Sequence, residues 1–251
     1  MITGKSYIGG LWKFGKGNEF SAQNPATGED INVLNEVDHE QIEEAVRLAN
    51  RAFEIVKTKG MESRAQLLDS IAEELETLGP QLINICNEET GLGESRITGE
   101  RARTCGQLRA FAALIRKGDW QQARIDTAIP DREPLPKADI RRILRPLGTI
   151  AIFSASNFPL AFSTLGGDTA SAIAAGNTVV VKAHPSHPGT SELCTRAIVK
   201  AIEKNNFPPE MFAMLQGASP KVSQALVQHP HIHAVGFTGS TAVGRILLVS
   251  N

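Results

Sequence analysis

GTIAIFSASNFPLAFSTLGGDTASAIAAGNTVVVK, residues 148–182, decides the fold. It opens and closes on short, continuously apolar runs, Thr149 to Phe153 and Thr178 to Lys182, with a helix-length interval between them. Runs of that kind mark strands buried on both faces, whereas a strand with one wet face alternates. Two more follow, Met211 to Leu215 and His233 to Phe237. The intervals predict crossover helices over Pro159 to Ala175, Gly189 to Lys204 and Pro220 to Gln228, with a further helix from Ser240. Strand, helix, strand at a spacing of about 30 residues is the βαβ unit of a doubly wound parallel sheet, an α/β fold with flanking helices.

Upstream, the texture differs. Residues 148–251 carry 4 acids and 6 bases, while residues 1–147 carry the other 23 acids and 20 bases, so the second part is the more buried. Residues 1–118 read as an α-helical amino-terminal segment. Asp38 and Gln41 fit a capping box ahead of the stripe Ile42, Ala45, Val46, Ala49 and Phe53. Leu67, Leu68, Ile71, Leu75 and Leu78 mark a second helix that Gly79-Pro80 stops, and residues 81–90 and 95–117 continue as helix. Residues 119–147, rich in proline and alternating charge, predict a crossing segment with an edge strand near Ile140 to Leu144.

Composition narrows the function classes. With 251 residues, 41% apolar and a formal net charge of -1, the chain reads as a globular domain with no electrostatic reason to bind nucleic acid or an anionic membrane. Cys86, Cys105 and Cys194 form neither a C-x-x-C pair nor an even set, so a reducing cytoplasm is the expected setting. No leader pattern or apolar run of membrane-spanning length is present, and secretion is not expected.

Ligands on open parallel sheets bind beyond the carboxyl ends of the strands, so the residues just past each run carry the interest. After the first comes S-A-S-N-F-P-L, where Asn157 reads either as a helix cap or as a neutral donor at the crevice. Lys182 ends the second run, either as a solvated charge or as a cation placed for a ribose or phosphate. The fourth run enters G-F-T-G-S-T-A-V-G, Gly236 to Gly244, a glycine-bearing turn before a helix start that suits a pyrophosphate without being G-x-G-x-x-G. His229, His231 and His233 alternate and share a face if extended, yet no acid or cysteine stands beside them in sequence, and no metal is expected. Arg101, Arg103 and Arg109 are either a solvated helix face or a carboxylate grip. Cys105 and Cys194 lack an adjacent histidine or carboxylate to activate a thiolate and read as packing residues.

Asn157, Lys182 and F-T-G-S (Phe237 to Ser240), in that order and spacing, resemble the aldehyde dehydrogenase superfamily. The likeness covers essentially the whole chain, including N-P-A-T-G at Asn24 to Gly28 and R-P-L-G at Arg145 to Gly148. S-N-F-P-L-A-F-S, V-V-V-K-A-H-P-S-H-P-G-T-S-E-L and R-T-C-G-Q-L-R-A-F-A are most similar to the branch that oxidises 2-oxoglutarate semialdehyde (2,5-dioxopentanoate), and fatty-aldehyde enzymes share much of this. The resemblance implies a Rossmann-like cofactor domain over residues 148–251 that binds NAD or NADP. It assigns to the cofactor Ser154, Ala155 and Ser156, then Lys182, His184 and Ser186, and finally Gly239, Ser240 and Gly244. Asn157 becomes part of an oxyanion hole, and Phe158 and Arg109 become candidate substrate contacts. No acid stands between Lys182 and Glu192 to repel a 2′-phosphate, so NADP is expected to be accepted and slightly favoured.

One departure shapes the expectation of activity. The family's glutamate, in an E-L-G-G-like strand, and its nucleophilic cysteine, in a G-Q-x-C-like context, match nothing in these 251 residues. The chain therefore reads as an amino-terminal, cofactor-binding half, inactive alone and part of a homo-oligomer when joined to the rest. A non-catalytic NAD(P)-binding module and a truncated product that associates through an exposed sheet edge are the competing readings, the latter implying poor solubility.

Overall fold

The computed structural model describes residues 1–249. Strands β1 (Ser6–Ile8) and β2 (Leu11–Lys13) open the chain as an antiparallel hairpin. Its two-residue turn is Gly9-Gly10, with φ of +60° and +82°, the sign that matches strand twist and that glycine adopts at least cost. A second antiparallel pair, β3 (Glu19–Gln23) and β4 (Asp30–Asn35), follows. These four short strands stand ahead of the helices that the amphipathic pattern anticipates.

Helix α1 (His39–Val56) begins on the expected capping box: the Asp38 carboxylate accepts from the Gln41 amide at 2.9 Å, and the Gln41 side chain accepts from the Asp38 amide at 3.2 Å. Helices α2 (Met61–Thr77) and α3 (Gly79–Thr90) divide at Gly79-Pro80, and α4 (Glu94–Lys117) stops at Gly118 in the left-handed region. The crossing segment carries β5 (Arg124–Asp126) antiparallel to β6 (Ile140–Arg142), shorter than the strand expected up to Leu144.

The parallel part is built from β7 (Thr149–Phe153), α5 (Gly167–Ala175), β8 (Thr178–Lys182), α6 (Pro188–Lys204), β9 (Phe212–Leu215), α7 (Pro220–Val227), β10 (Ile232–Phe237) and α8 (Thr241–Val249). The sheet order is β10-β7-β8-β9-β1-β2, and its first four strands are mutually parallel. Helices lie on both faces. Ile150, Ile152, Val179 and Val181 belong to one core with Leu67, Leu68, Ile71, Leu75 and Leu108, while Ala151, Phe153 and Val180 belong to another with Ile42, Val46 and Leu226. Successive residues of one strand thus enter opposite cores, which is why the runs are continuously apolar.

Two expectations change. Pro159 does not open a helix: residues 159–166 are turns, and α5 begins only at Gly167. The amides of Leu160 and Ala161 donate to the buried Glu100 carboxylate at 2.8 Å each, so these donors are committed to a side chain from α4 before a helix can start. The sheet is also better protected than four bare strands: β1 pairs with the outer side of β9, leaving β10 at the other margin, where Val235 is 38% exposed.

Replacing Ile71, which is fully buried among α2, α4 and α6, by alanine is expected to cost about 2–5 kcal/mol in urea unfolding. Asp38→Ala is expected to cost about 1 kcal/mol through loss of the cap. Equal losses for the two would contradict the core assignment.

Candidate functional site

The parallel ladder sets the site. Phe237 of β10 lies opposite Phe153 of β7, Phe153 opposite Lys182 of β8, and Lys182 opposite Leu215 of β9. Each chain then leaves the sheet at one level, and the four exits surround a cavity of about 750 Å³. That is within the range of about 300–1,000 Å³ found for cofactor and ligand sites. Ser154, Ala155, Ser156, Asn157 and Phe158 line it from the β7 exit, Lys182 and His184 from the β8 exit, and Gly239 and Ser240 from the β10 exit.

Lys182 is only 8% exposed, and burial holds its ammonium down to about 8 from an ordinary 10.5, with Glu36 partly offsetting. Beside it, burial together with His187 and Lys182 lowers His184 to about 3, so this imidazole is neutral. Its Nδ1 accepts from the Ser186 amide at 3.2 Å. His187, fully buried, places Nε2 2.8 Å from the Ala155 carbonyl, which accepts a hydrogen bond from that nitrogen and ties down the β7 exit. Among the described residues that line the cavity, Lys182 is therefore the one cation, set among hydroxyls and backbone.

Ser154 Oγ and Ser219 Oγ are buried without a hydrogen-bond partner, and both residues line the cavity. Unsatisfied buried hydroxyls cost free energy unless a bound group takes them. Gly239 is held against the Phe237 ring so closely that an added Cβ would lie 2.6 Å from its Cζ. Backbone there is open to a close-approaching ligand only because no side chain intervenes. Ser240 caps α8, its Oγ accepting from the Val243 amide at 3.3 Å, and the first amides of a helix so capped present a positive dipole end. The residues present suit a dinucleotide: hydroxyl partners, an ammonium, and a glycine turn at a helix start.

The structure separates the remaining candidates. Asn157 is no helix cap, since the N-cap of α5 is Gly166; its carbonyl accepts from Arg96 at 2.6 Å, and its residue borders both the main cavity and a second one of about 510 Å³. Ser186 lines that second cavity and not the first. Gly244 is outside both, its absent Cβ facing the Phe237 ring at 3.2 Å. Arg109, the candidate carboxylate anchor, is taken away from the cavity by a bidentate pair with Glu76, 2.7 Å at both nitrogens. Its charge is already neutralised on the outer side of α2 and α4.

Ala218, Ser219, Pro220 and Ser223, after β9, line the cavity but were not singled out in the sequence. The signal was available, because Ser219-Pro220 starts a helix directly past the third apolar run. Of the histidines, His229 bonds Glu43 at 2.9 Å across 186 residues of sequence, and no metal-ligating cluster occurs among the described residues. All three cysteines are buried. Burial pushes the Cys86 thiol up to about 12 and Cys105 up to about 11, and raises Cys194 well above its ordinary value. No helix among the described residues is long and apolar enough to cross a membrane.

Comparison with known proteins places this geometry. The model of the aldehyde dehydrogenase family matches residues 12–250. Alpha-ketoglutaric semialdehyde dehydrogenase 2 of Azospirillum brasilense is 45% identical over 250 residues, 99% of this chain and 48% of that protein. Alpha-ketoglutaric semialdehyde dehydrogenase of Acinetobacter baylyi is 47% identical over 208 residues, 83% of this chain and 39% of its own length. The chain thus spans about half, or less, of the curated relatives it matches. In fold, it superposes on a betaine aldehyde dehydrogenase of Staphylococcus aureus in complex with NAD+ with a TM-score of 0.85 at 23% identity, covering 100% of this chain and 49% of that one. An NAD-dependent benzaldehyde dehydrogenase of Corynebacterium glutamicum gives 0.84 at 24% identity, covering 98% and 51%. With a family match running almost from end to end, the chain belongs to the aldehyde dehydrogenase family.

Proposed function

We propose that these residues form the cofactor-binding half of an NAD(P)-dependent aldehyde dehydrogenase that oxidises 2-oxoglutarate semialdehyde to 2-oxoglutarate. The observation that carries the reading is the convergence of Ser154, Lys182 and Ser240 on one cavity with Asn157 at its end. The two relatives at 45% and 47% identity, both alpha-ketoglutaric semialdehyde dehydrogenases, support the substrate, with fatty aldehydes as the alternative. Bound NAD(P) supplies a hydride acceptor. Lys182 and the hydroxyls of Ser154 and Ser219 are the donors placed for its sugar, and the turn at Gly239-Ser240 for its diphosphate. The Asn157 amide stabilises negative charge on the former carbonyl oxygen. The chain works, on this reading, in the cytoplasm and as a homo-oligomer, with the exposed β5–β6 pair of the crossing segment as the contact.

On this reading the nucleophilic thiolate and the carboxylate that activates water are not supplied by these 251 residues. A thiol pushed up to about 11 or 12 by burial is not ionised at neutral pH, which argues against Cys86 and Cys105 as nucleophiles, and burial raises Cys194 well above its ordinary value too. The same observation favours a second reading, an NAD(P)-binding module without chemistry of its own. Aldehyde-dependent reduction of cofactor separates the two.

Three outcomes are expected. In a calorimetric titration NADP binds this chain at least as tightly as NAD; an affinity more than about tenfold weaker would contradict the absence of a repelling acid after Lys182. Lys182→Met weakens NADP binding about tenfold yet leaves thermal stability unchanged or raised, because a buried charge is replaced by an apolar group of similar length. The sign with pH follows: between about 8 and 10.5 the unfolded chain holds the Lys182 proton and the folded chain does not, so this residue's contribution to folding stability rises over that window while NADP affinity falls above about 8. In an enzyme carrying the nucleophile, Asn157→Ala lowers kcat about 10²–10³-fold with little change in cofactor affinity; an unchanged kcat rules out the oxyanion role.

A further inference from the structure

Two exposed arginines of α4 lie against residues that line the cavity, Asn157, Phe158 and Phe162, without lining it themselves. Arg96 and Arg103 are seven residues apart, two helical turns on the same face and about 10 Å along the axis. The Arg96 guanidinium donates to the Asn157 carbonyl at 2.6 Å and lies 5.0 Å from the centroid of the Phe158 ring. That of Arg103 lies 5.8 Å from Phe158 and 5.0 Å from Phe162. The two rings meet edge to face at 5.2 Å, and both line the cavity.

Among the described residues neither arginine forms an ion pair. Glu100 stands between them in sequence but turns inward, where its carboxylate takes the Leu160 and Ala161 amides. The arginine ion pairs among the described residues are those of Arg109, Arg116, Arg141 and Arg196. A guanidinium resting on an aromatic face keeps its in-plane N–H groups available, and those groups form the fork that matches a carboxylate. Arg96 commits one hydrogen bond to Asn157 and retains further donors.

We propose that Arg96 and Arg103, stacked on Phe158 and Phe162, form a carboxylate-binding subsite that takes the far carboxylate of an acidic aldehyde whose carbonyl lies beside the Asn157 amide. The inference rests on the aldehyde dehydrogenase reading above and deepens it. It moves the substrate anchor from Arg109, which Glu76 already holds, to a place within reach of the reacting end. A carboxylate gains charge-assisted hydrogen bonds from these two exposed guanidinium groups that an apolar tail does not, so the subsite favours acidic substrates over fatty ones.

The test uses the 251-residue chain and two probes of equal length, glutarate and its neutral diamide, followed by calorimetry and ligand-observed NMR at low salt, with NADP titrated separately. Glutarate is expected to bind at least tenfold tighter than the diamide. R103Q is expected to weaken glutarate about tenfold while NADP affinity stays within twofold, and R103K to recover only part of the loss. Equal binding of the two probes, no glutarate binding, or an unchanged glutarate affinity in R103Q overturns the proposal. R96Q serves as the second variant, and retained NADP binding shows that either variant is folded. Glutarate binding without NADP binding refutes the cofactor reading and leaves the subsite standing; NADP binding without glutarate refutes the subsite alone.

Discussion

The ladder that aligns Phe237, Phe153, Lys182 and Leu215 across four parallel strands is the constraint on which the site depends. Because side chains alternate between two buried cores, a slip of one residue on β8 would exchange Val180 with Val179 or Val181 and carry an ammonium into an apolar core. Register is thereby fixed by burial on both faces, and the ends of the strands are fixed with it. The cavity is a consequence: four chains leave the sheet together, and none can move along its strand without disrupting the packing.

What holds the departing loops is a set of buried glutamates, each accepting a pair of backbone amides. Glu36 takes Ala218 and Ser219, at 3.3 and 2.9 Å; Glu89 takes Gly189 and Thr190, at 2.6 and 2.8 Å; Glu100 takes Leu160 and Ala161. All three come from the first 118 residues and all three reach segments at the carboxyl edge of the sheet. The balance differs between them. At Glu89 burial wins and the carboxyl is pushed up to about 7 despite bonds from Thr190, Gly189 and Asn32. At Glu36 burial also opposes ionisation, but the bonds from Ser219 and Ala218, with Lys182 nearby, outweigh it and the net direction is down. Removing one such carboxylate leaves two amides unpaired in the interior, which is why the amino-terminal part and the parallel sheet form one structural argument.

The sequence discloses the parts of this arrangement that are periodic or local. Continuous apolar runs name β7 to β10, and the Asp38–Gln41 pair names the start of α1. It conceals the parts that depend on distant partners. Asn157 looks like a cap because Pro159 follows it, and only the Glu100 carboxylate, about sixty residues upstream, explains why a turn replaces the helix there. Arg109 and Arg103 look alike on one helix, and the position of Glu76 alone decides that the first is spent. The strands β1 to β4 are too short to establish a period, although the Gly9-Gly10 turn between Ile8 and Leu11 was a readable hairpin mark.

The two ends of the cavity are made by different means, and this has a consequence for how far likeness to other proteins reaches. The part of the cavity at the strand exits consists largely of backbone and small side chains, Ser154, Ala155, Gly239 and Ser240, whose positions follow from strand register. Such a cradle survives wide sequence change, since its geometry needs little beyond the ladder and a glycine that lets a ring and a ligand approach the chain. Beside Asn157 the lining is made instead by the rings of Phe158 and Phe162, with Arg96 and Arg103 of α4 packed against them, and none of these belongs to the sheet. Those side chains can change without disturbing any strand. Substrate choice is therefore free to vary on a constant fold, and it has to be argued from the charges at this end and not from the architecture.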